Sequence, residues 1–368
     1  MRFVVDTQQL NAAISTVTKA LSTKTTIGIL EGIYIQAADN SILLKCTDLS
    51  LQIETIVPAT VEEDGAIVLP GRLFSEMARR FPNELTNIHT ENNTAFLESG
   101  RAKATIQCEN ASEYHTMPEV KHDFEVKIKK NLLKNMIKQC IFATAQDDTK
   151  PILTGVLLEI DGNKLSMVAL DGYRLAIRKE DISGISGDKK VVVPAKSFLE
   201  ISRILEDTQE EISVVFSATH VLIDMGYTRI KTRLMEGEFI KYKQILPDSH
   251  TTRVRLKRNE LLESIERVSL MAREGKSNII KFSFEGEMLT LSANSELGKS
   301  NEELETDLMG NDLDIAFNSK YFSDVLKTLE DEDIYLDMNN NISPCVIRGV
   351  KGDNFYYLIL PVRLFTGM

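Results

Sequence analysis

The sequence predicts an α+β chain of three tandem, similar domains, each with two helices and antiparallel sheets. Three observations predict it. A ten-residue stretch occurs three times: Pro70–Arg79, Pro194–Arg203 and Asn318–Lys327 all read Pro/Asn, x, basic, x, Phe, x, acidic, apolar, x, basic, and their first residues stand 124 apart. Each repeat opens with a short alternating segment and an amphipathic helix. Strand-to-turn sites recur at Asp48, Asp171 and Ser295, 123 and 124 residues apart. A period this long means tandem domains rather than a solenoid. The expected domains are 1–121, 122–249 and 250–368, with polar, proline-led connectors at Pro118–Asp123 and Pro247–Thr252.

The first strand and helix of each repeat follow from periodicity. Phe3 and Val5 lead into Leu10, Ile14 and Val17; Val126 and Ile128 into Leu133, Ile137 and Cys140; Val254 and Leu256 into Leu261, Ile265 and Val268. Spacing at i, i+4, i+7 puts each trio on one helical face. In the second repeat Lys130, Lys134 and Lys138 form a basic stripe expected on the opposite face. Alternating strands follow: Ile42, Leu44 and Cys46; Leu165, Met167 and Ala169; Leu289, Leu291 and Ala293. A second strand and helix then close each repeat, with helices expected over 72–80, 196–205 and 321–329. Pro70 and Pro194 stand at helix entrances, where a missing N–H costs nothing. These helices also carry cations: Arg72, Arg79 and Arg80; Lys196 and Arg203; Lys320 and Lys327.

Bulk properties narrow the function. At 368 residues, three domains have an ordinary size. The four cysteines, Cys46, Cys108, Cys140 and Cys345, are far apart and form neither a zinc spacing nor a disulfide framework, so a reducing cytoplasm is the expected compartment. Met1–Asp6 reads as a strand and not as the start of a signal peptide. No apolar run approaches the roughly 20 residues that span a bilayer. The net charge of −11 argues against nucleic acid unless the cations are concentrated locally.

Catalytic signatures are missing. Gly275-Lys276-Ser277 and Gly298-Lys299-Ser300 imitate the end of a phosphate loop, but Leu270 and Ala293 stand where its first glycine belongs. His89, His115, His122, His220 and His250 have no metal spacing. Asp171 and Arg174 could pass for an acid beside a base, yet a turn aspartate before a positive-φ glycine explains Asp171 more simply. No catalytic residue, metal or cofactor is expected.

Four motifs carry a resemblance. Leu170-Asp171-Gly172-Tyr173-Arg174-Leu175-Ala176, the ending Leu358-Ile359-Leu360-Pro361-Val362-Arg363-Leu364, Lys150–Leu157, and Glu236–Phe239 running to Leu246-Pro247 resemble, in order and spacing, signatures of the bacterial DNA polymerase III β sliding clamp family. The resemblance spans essentially the whole chain. It implies the DNA-clamp fold, a head-to-tail homodimer forming a ring of six domains, helices lining the hole and sheets outside. The implied partners are encircled double-stranded DNA, the DNA polymerase III catalytic subunit, the clamp loader and other clamp-motif proteins, with no membrane. Such an arrangement reconciles basic helix faces with an acidic chain, since phosphate contact reads no base edge.

Three sites follow. For DNA, the resemblance points to Lys24, Arg72 and Lys196, and the helical faces add Lys134, Lys138 and Arg203. For a partner peptide, it implies an apolar pocket of Leu153, Leu170, Gly172, Tyr173, Arg174, Leu175, Pro247, Tyr321, Ser343, Cys345, Leu358, Leu360, Val362, Arg363 and Leu364. For the subunit interface, it implies an edge strand at Ala104–Cys108, with Ile106 and Cys108 apolar, facing Leu270 and Met271. The chain departs from the family pattern at Gly28, where proline is usual, and at Leu170 and Tyr173, which replace threonine and histidine and make the pocket rim more apolar. Two rivals remain at this level: an enzyme using Asp171 and Arg174, and a monomeric peptide-binding adaptor that does not encircle DNA.

Overall fold

The computed structural model describes residues 1–22, 25–82, 84–147, 149–182, 187–275 and 278–363. Among them are six α-helices: α1 (Thr7–Val17), α2 (Gly71–Ala78), α3 (Lys130–Ile141), α4 (Ala195–Ile204), α5 (Arg258–Glu274) and α6 (Ser319–Leu326). Every strand pairing among the described residues is antiparallel.

The helices form where the pattern places them, and local chemistry starts them. Asp6 caps α1 by accepting from the Gln9 N–H at 2.9 Å, and Asn318 caps α6 by accepting from the Lys320 N–H at 3.0 Å. Pro70 and Pro194 end the strands before α2 and α4. Leu10, Ile14 and Val17, then Leu133, Ile137 and Cys140, then Leu261, Ile265 and Val268, are all buried. The second helix of each repeat stops one to three residues short of the sequence expectation, at Ala78, Ile204 and Leu326 in place of Arg80, Leu205 and Leu329.

By contact the chain divides into two compact units, residues 1–134 with 196–234 and residues 135–195 with 235–368. The first unit holds a five-stranded sheet, ordered Thr60–Glu63, Arg2–Asp6, Leu85–Glu91, Thr94–Ser99 and Ala102–Gln107. It also holds a nine-stranded sheet in which Leu51–Pro58 of the first repeat pairs with Thr228–Arg233 of the second. The Thr55 and Thr228 hydroxyls, 2.8 Å apart, bridge that joint. Beside it Lys231, itself buried, donates to Glu119 at 2.6 Å.

The second unit repeats this plan. Its nine-stranded sheet joins the second repeat to the third where Arg174–Asp181 pairs with Phe355–Ile359. Its four-stranded sheet runs Gly298–Glu305, Met288–Ser295, Ile279–Glu285 and Leu313–Asn318, and α5 and α6 pack against it. Phe282, Phe317 and Phe322 fill that layer with ring centres 4.9 to 5.4 Å apart. Both joints place strands from neighbouring repeats side by side, so each unit takes strands from two repeats.

Candidate functional site

The second unit builds an apolar surface around the turn Leu170–Arg174. Asp171 Oδ1 accepts from the Tyr173 and Arg174 N–H groups at 2.9 and 3.0 Å, and Gly172 has φ +95°. A Cβ at Gly172 would meet nothing within 4 Å, so its left-handed backbone, not crowding, requires glycine. The turn reading of Asp171 is therefore the one the geometry supports, and it has a second half. Arg174 is buried and donates to Asp171 Oδ2 at 3.0 Å, Asp324 Oδ2 at 2.6 Å and the Phe142 carbonyl at 2.6 Å. Its guanidinium lies 4.6 Å from the centre of the Tyr321 ring. Tyr173 turns outward, 63% exposed, and stacks on Tyr321 at 6.3 Å.

The C-terminal run lies alongside. Leu358 and Ile359 pair with Leu175 and Arg174, the Leu360 N–H donates to the Tyr173 carbonyl at 2.9 Å, and the Val362 N–H donates to the Ala316 carbonyl at 2.8 Å. Two motifs some 185 residues apart in sequence thus become one surface. Its parts differ from the expected lining. Leu153, Leu170, Leu175 and Leu358 are at most 4% exposed, and they belong to one core cluster with Val346 and Tyr242. Cys345 is fully buried opposite Ile359. These residues are floor, because the ladders that hold the sheet also close over them. The accessible rim is Gly172, Tyr173, Leu360 and Arg363, with Pro247, Tyr321, Ser343 and Val362 half-buried. Leu364 lies outside the described residues.

Sequence reasoning passed over Ile342, which is 60% exposed beside Ser343. The Asn340 carboxamide accepts from the Ile342 and Ser343 N–H groups and turns Ile342 outward. A lone isoleucine in an Asn-rich turn was its available signal. Leu175→Ala would hollow the core, at about 2–5 kcal/mol, so Leu360 is the cleaner probe. Leu360→Ala is expected to weaken binding of a clamp-motif peptide about tenfold, a 1.4 kcal/mol change, with an unchanged unfolding midpoint. Equal peptide affinity by fluorescence titration would remove this surface from consideration.

The expected DNA cations are distributed over the helices. Arg72 on α2 is exposed and pairs with Glu76 at 3.3 Å; Arg203 on α4 is exposed and pairs with Glu200 at 2.6 Å. Lys134 is half-buried, while Lys138 and Lys196 are exposed, and none of the three makes an ion pair among the described residues. Lys24 lies outside the described residues. Lys130 corrects the stripe: it is 8% exposed and donates to Glu210 at 2.6 Å and to Glu206 at 3.5 Å. It stands at the strand–helix junction, where its own N–H donates to the Glu210 carbonyl, a neighbour that spacing along one helix could not reveal. Lys19 went unforeseen: burial lowers its pKa, opposed by the Glu200 carboxylate and reinforced by the Arg203 guanidinium, and its Nζ donates to the Ser15 carbonyl at 2.8 Å.

Each sheet ends in two edge strands, and two of these lie at or beside the residues expected at the subunit interface. Ala102–Gln107 is an edge as expected, but Ile106 and Cys108 turn inward, 3% and 7% exposed, because they close the protomer's own core. What this edge offers is backbone. The Cys108 N–H donates to the Asn93 carbonyl, so by alternation the Thr105 and Gln107 N–H groups point away from the sheet. The other edge, Gly298–Glu305, went unforeseen because Leu304 is its one large apolar residue and no apolar alternation shows. It contains the phosphate-loop imitation Gly298-Lys299-Ser300 as plain strand. Leu270 is 61% exposed nearby on α5, and Met271 is half-buried with its sulfur accepting from the Ser295 hydroxyl. Leu297, 77% exposed, precedes the edge. Burial raises the Cys140 thiol to about 12 and moves Cys46 and Cys345 the same way, so none offers a thiolate near neutral pH.

Residues 1–118, 127–241 and 243–363 match, in order, the N-terminal, central and C-terminal domain models of the DNA polymerase III beta subunit. The chain belongs to this family. It has the family's three-domain clamp fold. Among beta subunit relatives, it is 35% identical to the beta sliding clamp of Bacillus subtilis, covering 99% of this chain and 100% of that one. It is 31% identical to the beta sliding clamp of Staphylococcus aureus over the same shares. The crystal structure of the Bacillus subtilis DNA polymerase sliding clamp superposes with a TM-score of 0.96 at 34% identity, covering 99% of this chain and all of that one. A putative DNA polymerase III beta subunit from Eubacterium rectale gives 0.95 at 34%, with the same coverage.

Proposed function

We propose that this protein is a sliding clamp: two copies join head to tail into a ring of six domains that encircles duplex DNA and tethers the replicative polymerase. The observation that carries this reading is the match of all three beta subunit domains, in order, to full-length relatives named as sliding clamps. The domain limits 1–121, 122–249 and 250–368 belong to the proposal. So do its partners: the DNA polymerase III catalytic subunit, the clamp loader and other clamp-motif proteins, which take turns at the surface around Tyr173 and Leu360. The protein acts in the cytoplasm, and its role is mechanical rather than catalytic.

In this reading Arg72, Lys134, Lys138, Lys196, Arg203 and Lys24 meet phosphate. Exposed pairs such as Arg72–Glu76 contribute about 0–1 kcal/mol, so their cations can exchange a carboxylate for a phosphate at small cost. The edges Ala102–Gln107 and Gly298–Glu305 of different copies pair at the seam, with Leu270 and Met271 beside it. Retention then depends on topology, and direct contact is weak, sequence-independent and salt-sensitive. Loaded by its cognate loader onto nicked circular DNA, the protein is expected to stay through gel filtration and to leave when the circle is cut once. Equal retention on circle and linear duplex, or a monomer at micromolar concentration by light scattering, would overturn the reading. The monomer result would favour the adaptor.

A further inference from the structure

The segment between Met235 and Thr251 carries one wall of the peptide surface, Leu246-Pro247, without belonging to a sheet. Its ends are tied by the Met235 N–H to the Val192 carbonyl and the Thr251 N–H to the Met338 carbonyl. Between them the backbone bonds at Tyr242, Gln244 and Ile245 are local, closing a single 3-10 turn over Tyr242–Gln244. Side chains therefore decide where this wall stands.

Glu159 is the polar member of that anchorage. It lies in the strand Gly155–Asp161 and is 3% exposed. Its carboxylate accepts from the Tyr242 hydroxyl, from Lys243 Nζ at 3.2 Å and from Lys190 Nζ at 2.7 Å. Lys190 is its cross-strand neighbour, while Tyr242 and Lys243 both come from the wall segment. The Tyr242 ring meanwhile packs into the core cluster with Leu153, Leu170, Leu175 and Leu358, the floor of the peptide surface. Phe239, Ile240 and Leu246 pack on the same cluster. A buried carboxylate is costly unless its lone pairs are filled. Here two of the three donors that fill them belong to the wall, so satisfying Glu159 requires the wall to be in place.

We propose that Glu159 is a positioning residue for peptide recognition, pinning the Leu246-Pro247 wall at a fixed height over the leucine floor through Tyr242 and Lys243. The proposal rests on the reading of that surface as the partner-peptide site. It involves no contact between Glu159 and the peptide.

The test uses the full-length protein and a fluorescein-labelled peptide copied from the clamp motif of its own polymerase III catalytic subunit. Glu159→Ala and Tyr242→Phe are each expected to weaken the peptide about tenfold through faster dissociation, the step where affinity changes among related complexes mostly lie. Glu159→Gln, which still accepts from Tyr242, should recover most of that loss. Dimer mass and retention on circular DNA should not change, which a general loss of structure would not allow. If Glu159→Ala fails to fold, Tyr242→Phe, which removes a single oxygen, carries the same test. Wild-type affinity in Tyr242→Phe and in every folded Glu159 variant, with Leu360→Ala weakened, overturns the proposal alone. Wild-type affinity in Leu360→Ala as well overturns the reading of the site and this inference with it.

Discussion

Thr105→Pro is expected to leave the fold intact and to convert the protein from a dimer to a 41.4 kDa monomer. Thr105 is exposed on the edge strand Ala102–Gln107, and its N–H points out of the five-stranded sheet. Proline is tolerated on an edge whose N–H faces outward, but it deletes a ladder bond to any strand arriving from outside. Its ring also obstructs close approach. The neighbouring substitution gives the contrast. Ala104 directs its N–H toward Leu97, so Ala104→Pro breaks the protomer's own sheet and should lower the unfolding midpoint. Light scattering at micromolar concentration, with circular dichroism for the fold, separates the two. A dimer of Thr105→Pro that is still retained on circular DNA would place the seam elsewhere.

Arg174→Ala is expected to destabilise the fold by about 3 kcal/mol, the low end for breaking a buried ion pair. Three acceptors lose their donor at once: Asp171, Asp324 and the Phe142 carbonyl. The low end applies because Asp324 keeps Lys320 at 3.1 Å and remains partly solvated. Tyr321 also loses the cation stacked on it, so the Tyr173–Tyr321 pair loosens and peptide affinity falls too. Arg174→Lys should rescue little, since a single ammonium cannot reach acceptors in three directions. Urea unfolding would show the effect as a lower midpoint with an unchanged slope. A midpoint at the wild-type value would mean that the arginine is not a strut between the Asp171 turn and α6.

Much of the fold was legible because local rules and the repeat agreed. Leu10, Ile14 and Val17 declared a helix face that the two later repeats restated, and Asp171-Gly172 declared its turn by composition alone. What stayed hidden depends on partners distant in sequence. Lys130 read as solvated because only its own helix was visible, while Glu206 and Glu210 arrive from beyond α4. Ile106 and Cys108 were correctly apolar, but alternation says that two residues share a face without saying which face is inside. The pocket leucines were found as a set, yet floor and rim separate only when strand Phe355–Ile359 lies down beside Arg174–Asp181. Glu159 left no trace, because a carboxylate in a strand reads as the solvent side unless its donors are known. The edge Gly298–Glu305 was invisible for the opposite reason, as polar residues on both faces erase the strand signature.

The two ladders that join neighbouring repeats, Leu51–Pro58 with Thr228–Arg233 and Arg174–Asp181 with Phe355–Ile359, are formed within one polypeptide. If either frays, its strands remain tethered and meet again at an effective concentration that the chain fixes, whatever the amount of protein in the cell. A junction between two separate copies has no such tether. In the proposed ring, dilution would therefore part only the junctions between copies, and protein abundance would set how much of the population is closed.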